Sequence, residues 1–170
     1  MSETSTPVAG RPQMPQGYGA PEGEGRLLPW RHAQERLQEA RHYWICTVRP
    51  DGRPQVTPVW GVWLDNVLYF DGSPETRRGR NIAANPAIAI HLESGKDVVI
   101  VEGEAHQMKR PPRPLAQQLS TTYKAKYAAL GYAPEPDTWD HGGLYAMRPR
   151  VALAWADFPF DCTRWRFEEE

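Results

Sequence analysis

The chain lacks most of what marks the commoner functional classes. It has two cysteines in 170 residues, Cys46 and Cys162, and neither stands in a spacing that binds zinc or forms a redox pair. A reduced, cytoplasmic chain is the simplest reading. It also has no block of like charge. Basic and acidic residues balance to a formal net charge of −1, so no field is present that would gather nucleic acid or an anionic membrane, and a small molecule is the expected partner. No apolar run approaches the ~20 residues that span a bilayer, and the first residues lack the Lys/Arg-led apolar core of a secretory signal. The five histidines, His32, His42, His91, His106 and His141, show no His-x-x-x-His spacing, so no metal site is expected. Gly-x-Ser-x-Gly, P-loop and Gly-x-Gly-x-x-Gly patterns are all missing, which leaves hydrolase and dinucleotide-fold readings without an anchor.

What is present is organised as a leader and one domain. Residues 1–28 are rich in Pro, Gly, Glu and Ser and almost free of large apolar side chains, so they are expected to be disordered; residues 29–170 form the domain. Trp30, Ala33, Leu37 and Ala40 recur at helical spacing after Pro29. Alternating aromatic and β-branched runs follow, broken by turn dipeptides: Tyr43 to Arg49, Gln55 to Leu64 and Val67 to Phe70. They read as a three-strand antiparallel meander, with Pro58 marking an edge or a bulge. Ser73-Pro74-Glu75-Thr76 reads as a helix opening with Ser73 as N-cap, closed by Asn85-Pro86. Ala87 to Leu92 and Val98 to His106 are strands. Leu115, Leu119, Tyr123, Tyr127 and Leu130 mark one side of a helix, and Leu144 to Trp155 with Arg164 to Phe167 supply closing strands. About six strands and three helices that do not alternate point to an antiparallel barrel, mainly β with flanking helices, rather than a βαβ sheet.

Two segments could carry chemistry. Ser73 to Asn81 gathers hydroxyls, backbone N–H groups and three arginines, Arg77, Arg78 and Arg80, at one helix start, which is how a phosphate site is built; three solvated arginines on a surface helix are the alternative. The strand Gln55 to Leu64 carries Thr57, Pro58, Val59, Trp60, Gly61 and Trp63. It would suit a planar ring bonded at its edges by backbone groups, or equally a tryptophan-rich core.

Taken in order, Thr47-Val48-Arg49-Pro50-Asp51-Gly52-Arg53-Pro54, Thr57-Pro58-Val59-Trp60, Leu68-Tyr69-Phe70, Thr76 to Pro86 and Val101-Glu102-Gly103-Glu104-Ala105 resemble the FMN-binding split-barrel family, which includes the pyridoxamine 5′-phosphate oxidases and the deazaflavin-dependent oxidoreductases. The resemblance implies an antiparallel six-stranded Greek-key split β-barrel, a homodimer with interfacial cofactor sites, and a phosphorylated flavin. Carried over by position, Thr57, Pro58, Val59 and Trp60 look like the strand that meets the flavin ring. Tyr69, Phe70 and Asp71 look like the end of the next strand, and Thr76, Arg77 and Arg78 look like the phosphate clamp, with Arg80 and Asn81 as further candidates. The C-terminal Asp161 to Phe167 departs from the Arg-bearing substrate motif of true pyridoxamine-phosphate oxidases, so vitamin B6 oxidation is not expected. The implied function is an FMN oxidoreductase of unnamed substrate that works with a small-molecule electron donor or acceptor, and no side chain is nominated as acid or base. The alternatives are a coenzyme F-420 reductase, with Arg80, Lys109 and Arg110 available to a longer acidic tail, and a flavin-binding carrier or sensor without turnover. Trp155 and Trp165 are expected either near a partner's cofactor or in simple packing.

Overall fold

A computed structural model describes residues 6–23 and 25–168. Nine strands and three helices occur among them: β1 (Val8–Gly10), α1 (Trp30–Glu39), β2 (Tyr43–Val48), β3 (Pro54–Val59), β4 (Gly61–Leu64), β5 (Val67–Asp71), α2 (Arg77–Ala84), β6 (Ala87–His91), β7 (Val98–Met108), α3 (Arg113–Tyr127), β8 (Leu144–Trp155) and β9 (Thr163–Arg166). All the pairings are antiparallel, and they run β3-β2-β6-β7-β8 before dividing. On the free edge of β8, Leu144 to Met147 pair with β5, which pairs with β4, while Val151 to Ala154 pair with β9. β3 and β4 are consecutive in the chain yet join opposite ends of this ribbon, so the barrel is split and its sheet does not close. The antiparallel split barrel expected from sequence is the fold found.

Three details differ from expectation. The run Gln55 to Leu64 is two strands rather than one, broken at Trp60, because β3 follows β2 while β4 turns to β5. Pro58 does lie on the edge strand, where a missing N–H costs no ladder bond. Within the segment expected to be disordered, Val8–Gly10 pairs with Arg164–Arg166 of β9, and the Arg11 guanidinium reaches the carbonyls of Gly23 and Phe160. That expectation also covers residues 1–5 and 24, which lie outside the described residues. Finally, α2 begins three residues later than the Ser73 cap would place it. Thr76 is its N-cap, accepting from the Gly79 N–H at 3.0 Å, while Ser73 to Thr76 form the preceding turn.

The barrel core takes Tyr43 and Ile45 from β2, Leu68 and Phe70 from β5, Ile88 and Ile90 from β6, and Val99 and Val101 from β7. α1 adds Trp30, Ala33 and Leu37, and α2 adds Ile82. A second, aromatic core lies where α3 covers the β4–β5 hairpin, and it holds Val62, Leu119, Tyr123, Tyr127 and Trp139. The side predicted for α3 is the one it buries, apart from Leu130, which is exposed on the 3₁₀ turn that follows.

Lys126 fastens α3 to the barrel. Its Nζ donates to the Tyr43 hydroxyl and the Gly61 carbonyl, each at 3.1 Å, and lies over the rings of Tyr43 and Tyr127. Burial, with the Arg41 cation adding to it, draws its pKa from 10.5 to about 8. Between those two values the unfolded chain binds a proton that the folded chain does not, so stability rises with pH across that window. Above pH ~10 the trend reverses, because burial holds the hydroxyls of Tyr43, Tyr123, Tyr127 and Tyr132 neutral in the fold while the unfolded ones ionise. Thermal melts should therefore show Tm rising by a few degrees from pH 8 towards this limit, and Lys126→Met should flatten the rise. An unchanged slope in the variant would refute the assignment.

Candidate functional site

The side of α2 that carries Arg78 and Asn81 is bonded to the inner face of the β2–β3 hairpin. In that hairpin Thr47 stands opposite Gln55 and Ile45 opposite Thr57, so the inward row at the open end of the barrel is polar. Buried Asn81 donates from Nδ2 to Thr47 Oγ1 and to Gln55 Oε1, both at 2.9 Å. Arg78, one turn earlier, donates from Nη1 to Thr57 Oγ1 at 3.2 Å and from Nη2 to the Asp71 carbonyl at 3.4 Å. Its guanidinium carbon lies 5.8 Å from the centre of the Phe70 ring, within cation–π range. Gly72 leaves room for this, since a Cβ there would stand 2.5 Å from Nη2. Partial burial lowers the pKa of Arg78, with Tyr145 acting in the opposite direction, and a guanidinium stays charged through such a shift.

One side chain thus connects the three segments singled out in the sequence: Thr57 on β3, Phe70 and Asp71 at the end of β5, and the Thr76-Arg77-Arg78 helix start. Arg77 is exposed at the first position of α2 and makes no hydrogen bond or ion pair among the described residues. Thr76 is committed to capping.

The other candidates are placed differently. Val59 is buried in the barrel core, and Pro58 is exposed on the opposite face of β3. Trp60 does not offer a free flat wall, because its indole stacks on Tyr127 with centroids 5.0 Å apart and lies against Tyr132. Tyr69 packs on the aromatic core, and its carbonyl accepts from Tyr123 at 3.1 Å. The Asp71 carboxylate also turns that way, accepting from the Tyr132 hydroxyl and from Trp139 Nε1. Burial raises its pKa, opposed by hydrogen bonds from Tyr132, Tyr123 and Trp139. Only the Asp71 backbone carbonyl meets Arg78.

Trp165 is a core residue, 1% exposed and edge-on to Trp30, while Trp155 packs against Phe158. Arg110 is tied by two hydrogen bonds to Asp140, Arg80 donates to the Glu75 carbonyl, and Lys109 is exposed. Sequence reasoning missed Gln55, whose only signal was its alternation with Thr57. It also missed Tyr145, whose ring stacks on Phe70 at 5.2 Å and whose place in the site depends on β8 pairing with β5.

The sequence profile of the pyridoxamine 5′-phosphate oxidase family matches residues 30–156. The chain belongs to that family. It is 29% identical to a pyridoxine/pyridoxamine 5′-phosphate oxidase of Porphyromonas gingivalis over 62% of its own length, and it spans 61% of that curated relative. Among solved structures, an F420 reductase is 26% identical with a TM-score of 0.54, and the match covers 82% of this chain and 98% of that one. A heme-binding protein from Mycobacterium smegmatis, 17% identical, shares the fold with a TM-score of 0.58 over 78% of this chain and 57% of its own. The family is thus the one the ordered motifs resemble. No helix among the described residues is long and apolar enough to cross a membrane. No group of three or more His, Cys, Asp or Glu side chains among them could hold a metal ion.

Proposed function

We propose that this chain binds a phosphorylated flavin, FMN, and works as a flavin-dependent oxidoreductase that passes a hydride to or from a small molecule. The observation that carries this reading is the position of Arg78, half-buried where the start of α2 meets Thr57 and the end of β5. A guanidinium held on one side by a hydroxyl and a carbonyl is pre-aimed and keeps further N–H groups for an anion, and the first amides of a helix favour the same charge. Arg77 adds a second cation at the helix start. The residues present therefore fit the phosphate end of such a cofactor.

When bound, the flavin ring supplies the hydride chemistry, and the chain supplies orientation, hydrogen bonds and exclusion of water. Since Val59 and Trp60 are engaged in the two cores and Pro58 stands on the opposite face of β3, the strand would meet the ring through its backbone and Thr57 rather than through the Trp60 indole. The outward face of β2 and β3 supports a homodimer. Val48 and Val56 are 38% and 49% exposed there, beside Trp44, Cys46, Pro54 and Pro58, and contiguous apolar surface of this kind marks an interface.

A second reading replaces FMN by coenzyme F-420, and the similarity to an F420 reductase along 98% of that structure favours it. Of the cations available to a longer acidic tail, Lys109 is exposed and Arg110 is already bound to Asp140.

The test is to purify the protein, record its absorption spectrum and mass in solution, and identify any copurifying small molecule by mass spectrometry. FMN with a dimeric mass supports the first reading and F-420 the second. Failure to bind either on titration would reject both. Binding without any quinone-stimulated reoxidation of the reduced cofactor would make the protein a carrier or sensor.

A further inference from the structure

The amine that ties α3 to the barrel is set apart from the other lysines of the chain. Lys96 and Lys109 are exposed, and Lys124 pairs with Glu135 at 2.7 Å. Lys126 is half-buried and pairs with no carboxylate among the described residues. The groups that face it are Tyr43 on β2, Gly61 on β4, Tyr127 on α3 and the Arg41 cation just before β2. Its two acceptors can only accept. The Gly61 oxygen is a carbonyl, and the Tyr43 hydroxyl gives its one hydrogen to the Leu37 carbonyl. An ammonium has three N–H groups, and these two oxygens take two of them. When the third proton leaves, the neutral amine keeps the two N–H groups that its acceptors require. Its lone pair then takes the vacated direction, away from both oxygens, with no donor beside it to bind it. Burial, with Arg41 adding to it, brings the pKa to about 8, so near neutral pH the amine is uncharged on the order of a hundredfold more often than an ordinary lysine. Burial keeps the Tyr43 and Tyr127 hydroxyls protonated over the same range.

We propose that Lys126 is an acylation site of this protein and takes its acyl group from an acyl phosphate, and that the modification loosens α3 from the barrel. The lone pair held away from both oxygens is the nucleophile. Arg41 is exposed and makes no ion pair among the described residues, so it favours a donor whose leaving group is an anion. Nζ attacks the acyl carbon and an N–C bond forms. The C–O bond to phosphate breaks with its electron pair on the phosphate, and the surplus proton on nitrogen passes to water. The resulting amide has one N–H and no charge. It leaves one of the Tyr43 and Gly61 acceptors without its donor, and it removes the cation from the Tyr43 and Tyr127 rings. The site does not depend on the flavin reading.

The test treats the intact protein with limiting acetyl phosphate over a range of pH and locates the acetyl groups by peptide mass spectrometry. At neutral pH, Lys126 should be acetylated about tenfold faster than Lys96 or Lys109, because burial takes back part of its advantage in neutral fraction. Its rate should level off above pH about 8, while theirs go on rising. Acetylation should lower Tm by a few degrees in the wild type and leave Lys126→Arg unchanged, since arginine keeps the charge and is not acylated. Labelling of Lys126 no faster than Lys96 and Lys109, or a rate that climbs in parallel with theirs, overturns the site. An equal Tm loss in Lys126→Arg overturns the loosening of α3. Should that variant fail to fold, the labelling of the wild type still decides whether the site exists. Equal preference for Lys126 from the neutral thioester N,S-diacetylcysteamine overturns the acyl phosphate as donor.

Discussion

Replacing Arg77 and Arg78 together by alanine should lower affinity for FMN by about a hundredfold or more, because charge-assisted hydrogen bonds contribute about 1.5–3 kcal/mol each. Arg78→Ala alone should produce the larger share. Its guanidinium is held by Thr57 and the Asp71 carbonyl, so little entropy is lost when it grips an anion. Arg77 is exposed and must be ordered first. Arg78→Lys should recover only part of the loss, since an ammonium keeps the charge but not the fork that reaches two acceptors at once. The fold should survive all three changes, because the α2 contacts that carry burial come from Ile82 and Asn81. Fluorescence titration of FMN, with circular dichroism as the control for folding, measures this. Equal affinity in wild type and the double variant would remove the clamp.

The parts of the fold that could be read from the sequence were those set by neighbours in the chain. The β2–β3 hairpin follows from alternation around Asp51-Gly52, where Gly52 has φ +83°. The β4–β5 turn follows from Asp65-Asn66, both with positive φ, as a two-residue hairpin of this kind requires. The break at Trp60 could not be read locally. It exists because β5 pairs with β8, Leu68 beside Met147, and no window of sequence contains both residues. The strand at Val8–Gly10 escaped for the same reason, its partner being Arg164–Arg166.

The cap of α2 was misjudged between two hydroxyls three residues apart. Pro74 favours Ser73 as the cap, but Gly79 packs on the preceding turn so closely that a Cβ would stand 2.7 Å from the Pro74 carbonyl, and this contact goes with the helix starting at Arg77. The candidate site divided along the same line. That Arg78, Thr57 and Phe70 belong together was legible from their ordered motifs. Which way Trp60, Tyr69 and Asp71 turn was not, because the partners that turn them, Tyr127, Tyr123, Tyr132 and Trp139, lie more than fifty residues further along.

Asp71 shows the consequence. Its carboxylate is the acceptor around which the aromatic core is arranged, receiving the Tyr132 hydroxyl and the Trp139 indole N–H, so its replacement should affect stability far more than the cofactor. Asp71→Ala leaves two donors without an acceptor in an apolar surround. At about 1–3 kcal/mol for each stranded group, the loss should be about 2–6 kcal/mol, a large part of the 5–15 kcal/mol typical of a whole domain. Asp71→Asn keeps one carbonyl oxygen but turns an NH₂ towards a donor, so it should fall between wild type and alanine. Urea unfolding measures both losses. Pairing Asp71→Asn with Tyr132→Phe should give less than the sum of the two, since the phenylalanine removes a donor that the asparagine cannot fully satisfy. Neither Asp71→Asn nor Tyr132→Phe should change FMN affinity more than a few-fold, because Arg78 bonds the backbone carbonyl of residue 71 and not its side chain. A large loss of FMN binding in folded Asp71→Asn protein would mean that the carboxylate faces the cofactor after all, and the assignment of Asp71 to the aromatic core would have to be abandoned.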